Sequence, residues 1–153
     1  MHNLRIKKGF FMTPDQVFKI ANTIALIPWI LMAILPRWSV TEKIVNSYAF
    51  PALLAFVYIF YIGMSIGNAS GGFSTLDGVA KLFRNKNALL AGWVHYLVFD
   101  LFVGTWIWRD SIQNGISHFI LLPCLLVTLM FGPAGFLVYY IIRFFLVGAP
   151  VQF

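Results

Sequence analysis

Four long apolar stretches occupy most of this chain, and they decide what it can fold into. They run over residues 15–35, 44–66, 88–108 and 118–145. Each reaches the length of about 20 residues that a helix needs to cross the hydrocarbon core of a bilayer. Inside lipid every backbone N–H and C=O must be satisfied within the protein, so stretches of this kind become helices. Of the 153 residues, 60% are hydrophobic and 10% charged. A water-soluble domain this small would have to expose much of that Leu, Ile, Phe and Trp. The expected fold is all-α: an integral membrane four-helix bundle forming one transmembrane domain, residues 1–153.

The net charge of +6 does not mark a nucleic-acid binder, because the basic residues form no stripe. They cluster in the N-terminal tail and in the gaps between apolar runs. Arg5, Lys7, Lys8, Lys19, Lys81, Arg84, Lys86 and Arg143 fall on one side, and Arg37, Lys43 and Arg109 on the other. Cytoplasmic loops carry the excess of Lys and Arg, which places both termini inward in a multi-pass cytoplasmic membrane protein. Trp29, Trp38, Trp106 and Trp108 lie toward the outer ends of their spans, as an aromatic belt would. The first run is interrupted by Pro28-Trp29 and followed by Pro36-Arg37-Trp38 rather than by a small-residue cleavage site, so it reads as a retained helix. The lone Cys124 sits within an apolar run and reads as a packing residue.

The connection 67–87 reads as a flexible start followed by a short amphipathic helix in the headgroup plane. Ser74 is its expected cap, with Asp77 three residues on. Val79, Leu82 and Phe83 form an apolar side, and Lys81, Arg84 and Lys86 a basic one. Gly63 and Gly67 form a small-xxx-small pair able to seat the second helix on a neighbour. Pro28, Pro51 and Pro123 read as kinks, and Phe131-Gly132-Pro133-Ala134-Gly135 predicts a kink or tilt in the long fourth span.

Ionisable side chains at membrane depth are expensive, about 2.5–3.5 kcal/mol for a central Asp on insertion scales. Asp100 lies near the middle of the third span, with His95 nearer the cytoplasm. At about 100° per residue, Trp93, Tyr96, Asp100 and Gly104 share one side, and His95, Phe99, Phe102 and Trp106 lie roughly opposite. With polar groups on both sides, the third helix is expected at the centre of the bundle. Depth matching brings Asn22 and Tyr58 level with His95. Folding the last two spans about Gln113 sets Asp100 level with Val127 and Thr128, and Arg143 at the inner boundary, snorkelling to phosphates. His118 then lies about 13 helical positions from His95, roughly 20 Å, so the two histidines share no metal. Two readings stand for Asn22, Tyr58, His95 and Asp100. One is a hydrogen-bond network that fixes helix packing; the other is a site for proton handling or polar-end recognition in an apolar cavity.

Three motifs carry a resemblance. Gly71-Gly72-Phe73-Ser74-Thr75-Leu76-Asp77-Gly78-Val79-Ala80-Lys81-Leu82-Phe83 leads into Leu90-Ala91-Gly92-Trp93-Val94-His95-Tyr96-Leu97-Val98-Phe99-Asp100. Thr128-Leu129-Met130-Phe131-Gly132-Pro133-Ala134-Gly135 follows. Together they resemble the abscisic-acid-deficient-four-like family, over about residues 17–143, and the form suggests a bacterial-type member. That family is required in plant plastids to form neoxanthin from violaxanthin. The resemblance implies an acid–base epoxide isomerisation without a redox cofactor or metal. For that chemistry the polar groups of the third span offer Asp100 as acid and His95 as base or relay, which can serve one site only if it wraps around the helix. Asn22 and Tyr58 would orient the ring end, with Trp93, Tyr96 and Phe99 against the substrate and Phe102 and Trp106 along the polyene. Membrane lipid and a carotenoid or other isoprenoid are the expected partners, with room for a homo-oligomer. The alternative is a non-catalytic carotenoid- or lipid-binding protein or accessory membrane subunit.

Overall fold

Residues 12–148 are described by the structure, a computed structural model. Arg5, Lys7 and Lys8, which weighed in the orientation, lie outside the described residues. Among the described residues six helices follow in order: α1 (Pro14–Ile34), α2 (Ser39–Asn46), α3 (Ala49–Ser65), α4 (Leu76–Leu82), α5 (Lys86–Gln113) and α6 (His118–Val147). Among the described residues four segments are long and apolar enough to cross a membrane, namely α1, α2 with α3, α5 and α6. The all-α membrane bundle stands, and the protein is a multi-pass membrane protein. Two of its spans depart from the regular helices expected.

Local chemistry sets the helix ends. At α1, the Thr13 hydroxyl accepts the Gln16 N–H while the Gln16 side chain accepts the Thr13 N–H, with Pro14 opening the helix. The Asn85 side chain accepts from the N–H groups of Asn87 and Ala88 at the start of α5. The cap of α4 is Thr75, whose hydroxyl accepts from Gly78 at 3.0 Å. The expected Ser74–Asp77 box is therefore displaced by one residue. The loop closes on itself there, because Gly71 takes φ +108 and the Gly72 N–H bonds the Gly78 carbonyl.

The second span is broken where one helix over 44–66 was expected. Tyr48 adopts the left-handed conformation (φ 53) between α2 and α3. Pro51 consequently falls in the first turn of α3, where its missing N–H costs nothing. α2 turns Thr41 and Val45 into the core. Gly63 and Gly67 seat no neighbour, since a Cβ on either would meet nothing. Close approach occurs instead at Gly104, which lies under the Trp29 ring.

α5 is the central helix, as its polar pattern predicted: α1, α3 and α6 all pack on it. Near its start, Leu90, Ala91, Val94 and Leu97 meet Ala21, Ala25, Leu54 and Tyr61. Toward its end, Leu101, Ile107 and Trp108 meet Trp29, Met32, Val45, Leu121 and Leu125. Trp29 and Trp108 are thus core residues, at 5% and 2% exposure, rather than members of an interfacial belt.

α6 holds the largest departure. Phe131 (φ −140, ψ 33) and Gly132 (φ 13, ψ −82) are non-helical, and the chain reverses between them. Residues 118–130 run down α5 as expected, so that the Tyr96 hydroxyl reaches the carbonyls of Leu129 and Met130. Residues 133–147 then run back up. Gly135 lies against the backbone of Thr128, Trp106 packs on Phe136 and Tyr139, and Arg143 meets Asp110. Val147 packs on the core cluster at the end where α5 finishes. Each arm is about 20 Å long at about 1.5 Å per residue, half the length of α5. α6 is a half-spanning helical hairpin with both ends on one side.

Arg143 is therefore not at the boundary near the N-terminal ends of α1 and α5, and the two ends of the described chain lie at opposite ends of the bundle. Both termini on one side was the expectation from charge alone. A single cysteine replacing Met12 and another replacing Leu146, both exposed positions, are expected to react with an impermeant maleimide from opposite faces of a sealed membrane. Reaction of both from the same face would rule out the hairpin. Cys124, buried at 1% exposure, contributes little background.

Candidate functional site

The hairpin tip meets α5 at Asp100. The carboxyl is 8% exposed, and Gly132 passes so close that a Cβ there would land on its oxygens. Oδ2 of Asp100 has no hydrogen-bond partner among the described residues. One turn along α5, the Tyr96 hydroxyl donates to the Met130 carbonyl at 3.1 Å and to that of Leu129 at 3.3 Å. The Leu129 carbonyl would ordinarily accept from residue 133, but that residue is Pro133 and has no N–H. Tyr96 supplies the missing donor, as lipid cannot.

From Tyr96 an aromatic wall continues toward the start of α5. Trp93 packs on Tyr96 at 5.4 Å between ring centroids and on Phe18 at 5.3 Å. The Trp93 indole N–H donates to Oδ1 of Asn22 at 3.2 Å. The Asn22 amide in turn donates to the Phe18 carbonyl at 2.6 Å. A cavity of about 200 Å³ ends the wall, lined by Phe18, Leu90 and Trp93 with Lys86 and Asp15 paired at 3.1 Å. Because α6 turns back at the depth of Asp100, it does not cover this wall. Trp93, Met130 and Phe131 remain exposed to lipid, the last two at 64% and 66%.

His95 lies elsewhere. It is exposed, and its ring packs on Phe99 at 4.6 Å and on Tyr58 at 5.5 Å. With Ile62, Phe73, Phe83 and Gly92 it lines a groove of about 220 Å³ beside α4. The sequence-derived group therefore divides. Asn22, Trp93, Tyr96 and Asp100 come together; Tyr58, His95 and Phe99 form a second cluster across α5. No hydrogen bond joins the two among the described residues, so a single network over Asn22, Tyr58, His95 and Asp100 does not form. The anticipated polyene lining divides too: Phe102 packs on Tyr48, and Trp106 on α6.

Sequence reasoning missed the buried ion pair. Asp110 Oδ2 accepts from the Tyr139 hydroxyl at 2.6 Å and from Nε of Arg143 at 2.8 Å, with the Arg and Asp side chains 5% and 6% exposed. Residues 110 and 143 meet only because the chain reverses at 131–132. The Gly132-Pro133 step was the available signal, and it read as a kink. His118 bonds the Ala33 carbonyl at 2.8 Å, tying α6 to the end of α1. Among the described residues no three His, Cys, Asp or Glu side chains gather as a metal-binding set.

The four long apolar helical segments around a buried carboxyl, with an exposed aromatic wall beside it, define a polytopic membrane protein. The chain belongs to the ABA4-like family. Residues 16–139 match that family's sequence model, described as ABA DEFICIENT 4-like. It is 30% identical over 139 residues to the chloroplastic protein ABA DEFICIENT 4 of Arabidopsis thaliana, covering 84% of this chain. The chain spans 61% of the length of that curated relative. No solved structure matches it. A bacterial-type assignment is not borne out, the matched relative being chloroplastic.

Proposed function

We propose that this protein isomerises an epoxy-carotenoid or related isoprenoid epoxide taken directly from the bilayer, with Asp100 as the proton-transferring group. The observation that carries this reading is the Asp100 carboxyl itself, buried midway along a helix of spanning length, with an unpartnered oxygen and an exposed aromatic wall beside it. Likeness to a family named for abscisic acid deficiency supports the substrate class.

The chemistry requires one proton in and one proton out. In its acid form, the carboxyl O–H donates to the epoxide oxygen as the ring C–O bond breaks. The other carboxyl oxygen accepts the proton lost from the adjacent polyene carbon, whose C–H electron pair becomes the second double bond of an allene. The product is an allenic alcohol of unchanged mass, and no electrons are exchanged with a cofactor. A carboxyl supplies both functions, so His95 across the helix is not required. Tyr96, tied to the tip, sets the geometry of the site. Trp93 and Phe18 give the polyene a flat aromatic surface, while Asn22 holds the Trp93 indole in place. Membrane lipid delivers the substrate along the face that α6 leaves open.

The second reading is a non-catalytic binder or accessory subunit, favoured by the placement of His95, the expected base, with Tyr58 and Phe99 across α5 from Asp100. Incubating the purified protein with an epoxy-carotenoid distinguishes the two. Appearance of an isomer of identical mass with an allenic infrared band is the expected result. Stoichiometric pigment recovered unchanged would leave only binding.

A further inference from the structure

At the end of the bundle where α1 finishes and α5 finishes, a cavity of about 370 Å³ is lined by Pro36, Arg37, Glu42, Asn46, Trp108, Arg109, Ile112 and Gln113. We propose that this cavity is a binding site for an anionic phosphodiester headgroup, separate from the Asp100 site and independent of the reaction there.

Three observations carry the proposal. Arg37, on the link between α1 and α2, and Arg109, on α5, are brought to one cavity from distant parts of the chain. Neither forms an ion pair among the described residues, and Arg109 is oriented by donating to the Tyr48 hydroxyl at 3.0 Å. Guanidinium groups offer planar donor pairs that match phosphate oxygens. Trp108 also lines the cavity; it is 2% exposed, and its indole N–H is buried with no acceptor among the described residues. A buried donor without an acceptor costs about 1–3 kcal/mol, but Nε1 of Trp108 is itself closed off, so recognition in the cavity falls to the two guanidinium groups. The remaining polar groups are Glu42, Asn46 and Gln113. Glu42 repels an anion, leaving a net of one positive charge, and accepts from headgroup hydroxyls that Asn46 and Gln113 also bond. The cavity sits at the end of the spans, the depth of lipid phosphates. A singly charged phosphodiester bearing hydroxyls, such as a glycerophosphate headgroup, matches this set.

The test uses the whole protein in neutral detergent, titrated with short-chain phosphatidylglycerol and followed calorimetrically. Saturable binding of one lipid is expected, weakened at least tenfold by Arg37→Gln and further by the Arg37→Gln, Arg109→Gln pair. Lys43→Gln, which removes a charge from α2 outside the cavity, should leave the affinity within twofold. An equal loss in Lys43→Gln, or no saturable binding, overturns the proposal. Arg37→Gln keeps the test meaningful if the Arg109 variant fails to fold, since Arg37 makes no bond among the described residues. Competition by inorganic phosphate assigns recognition to the phosphate alone; resistance to it assigns recognition to the lipid headgroup as a whole. Epoxide turnover plays no part in the readout, so failure here and failure of the proposed isomerisation are separable.

Discussion

Replacing Asp100 with asparagine is expected to lower turnover of an epoxy-carotenoid by roughly 10²–10⁴-fold, the contribution of a positioned acid–base group. Asparagine keeps the shape of the side chain beside Gly132 but has neither an acidic proton nor a basic oxygen of comparable strength. The loss should fall on kcat, with KM changed little, because the aromatic wall that receives the polyene is untouched. Structure should survive the change: Oδ2 of Asp100 has no partner to lose, and the asparagine oxygen can keep the interaction with the Tyr96 hydroxyl, so thermal unfolding in detergent should move little. Tyr96→Phe provides a second arm. It leaves the carboxyl intact but removes the donor to Leu129 and Met130, and it should loosen the hairpin tip with a smaller loss of rate. Full activity in Asp100→Asn would take the residue out of the chemistry altogether.

Arg143→Met is expected to destabilise the protein by about 3–5 kcal/mol, the usual result of leaving one member of a buried ion pair without its partner. Asp110 is only 5% exposed and accepts from both Arg143 and Tyr139. Without the guanidinium it retains one neutral hydrogen bond. Combining Arg143→Met with Asp110→Asn removes the uncompensated charge, and most of the stability should return. Reversible unfolding in mixed micelles measures both variants. If the double variant is no more stable than Arg143→Met alone, the pair does not hold the returning arm of α6. The same variants probe the hairpin, because Arg143 and Asp110 can meet only when residues 133–147 run back along α5.

Much of the architecture was legible in the chain before any coordinates. Apolar stretches of spanning length gave the membrane helices, and the placement of polar groups on two sides of 88–108 correctly made α5 the centre. The side shared by Trp93, Tyr96 and Asp100 followed from helical periodicity, and the structure retains it. Folding about Gln113 also gave the direction of the first arm of α6, although Asp100 meets Gly132 rather than Val127 and Thr128. Three readings erred for one reason, which is that they extended regular helices through irregular backbone. Tyr48 broke the second span, Phe131-Gly132 reversed the fourth, and the reversal carried Arg143 to the other end of the bundle. Periodicity had already set His95 on the side of α5 opposite Asp100; depth matching levelled Asn22 and Tyr58 with His95, but depth is one coordinate, and only Tyr58 packs on it while Asn22 bonds Trp93.

What the sequence determined by itself was solvent and periodicity: which segments belong in lipid, and which side chains share a face of one helix. These follow from local transfer energies and from 3.6-residue geometry, and neither needs a partner. The tertiary structure alone decided which faces meet. Close packing at Gly132 and Gly135, the pairing of Asp110 with Arg143, and the exposure of the Trp93–Tyr96 wall all depend on the turn at 131–132. A reversal and a mild kink begin with the same residues, Gly132 and Pro133. Only the energy of packing the returning arm against α5, and of pairing its buried charge there, selects between them.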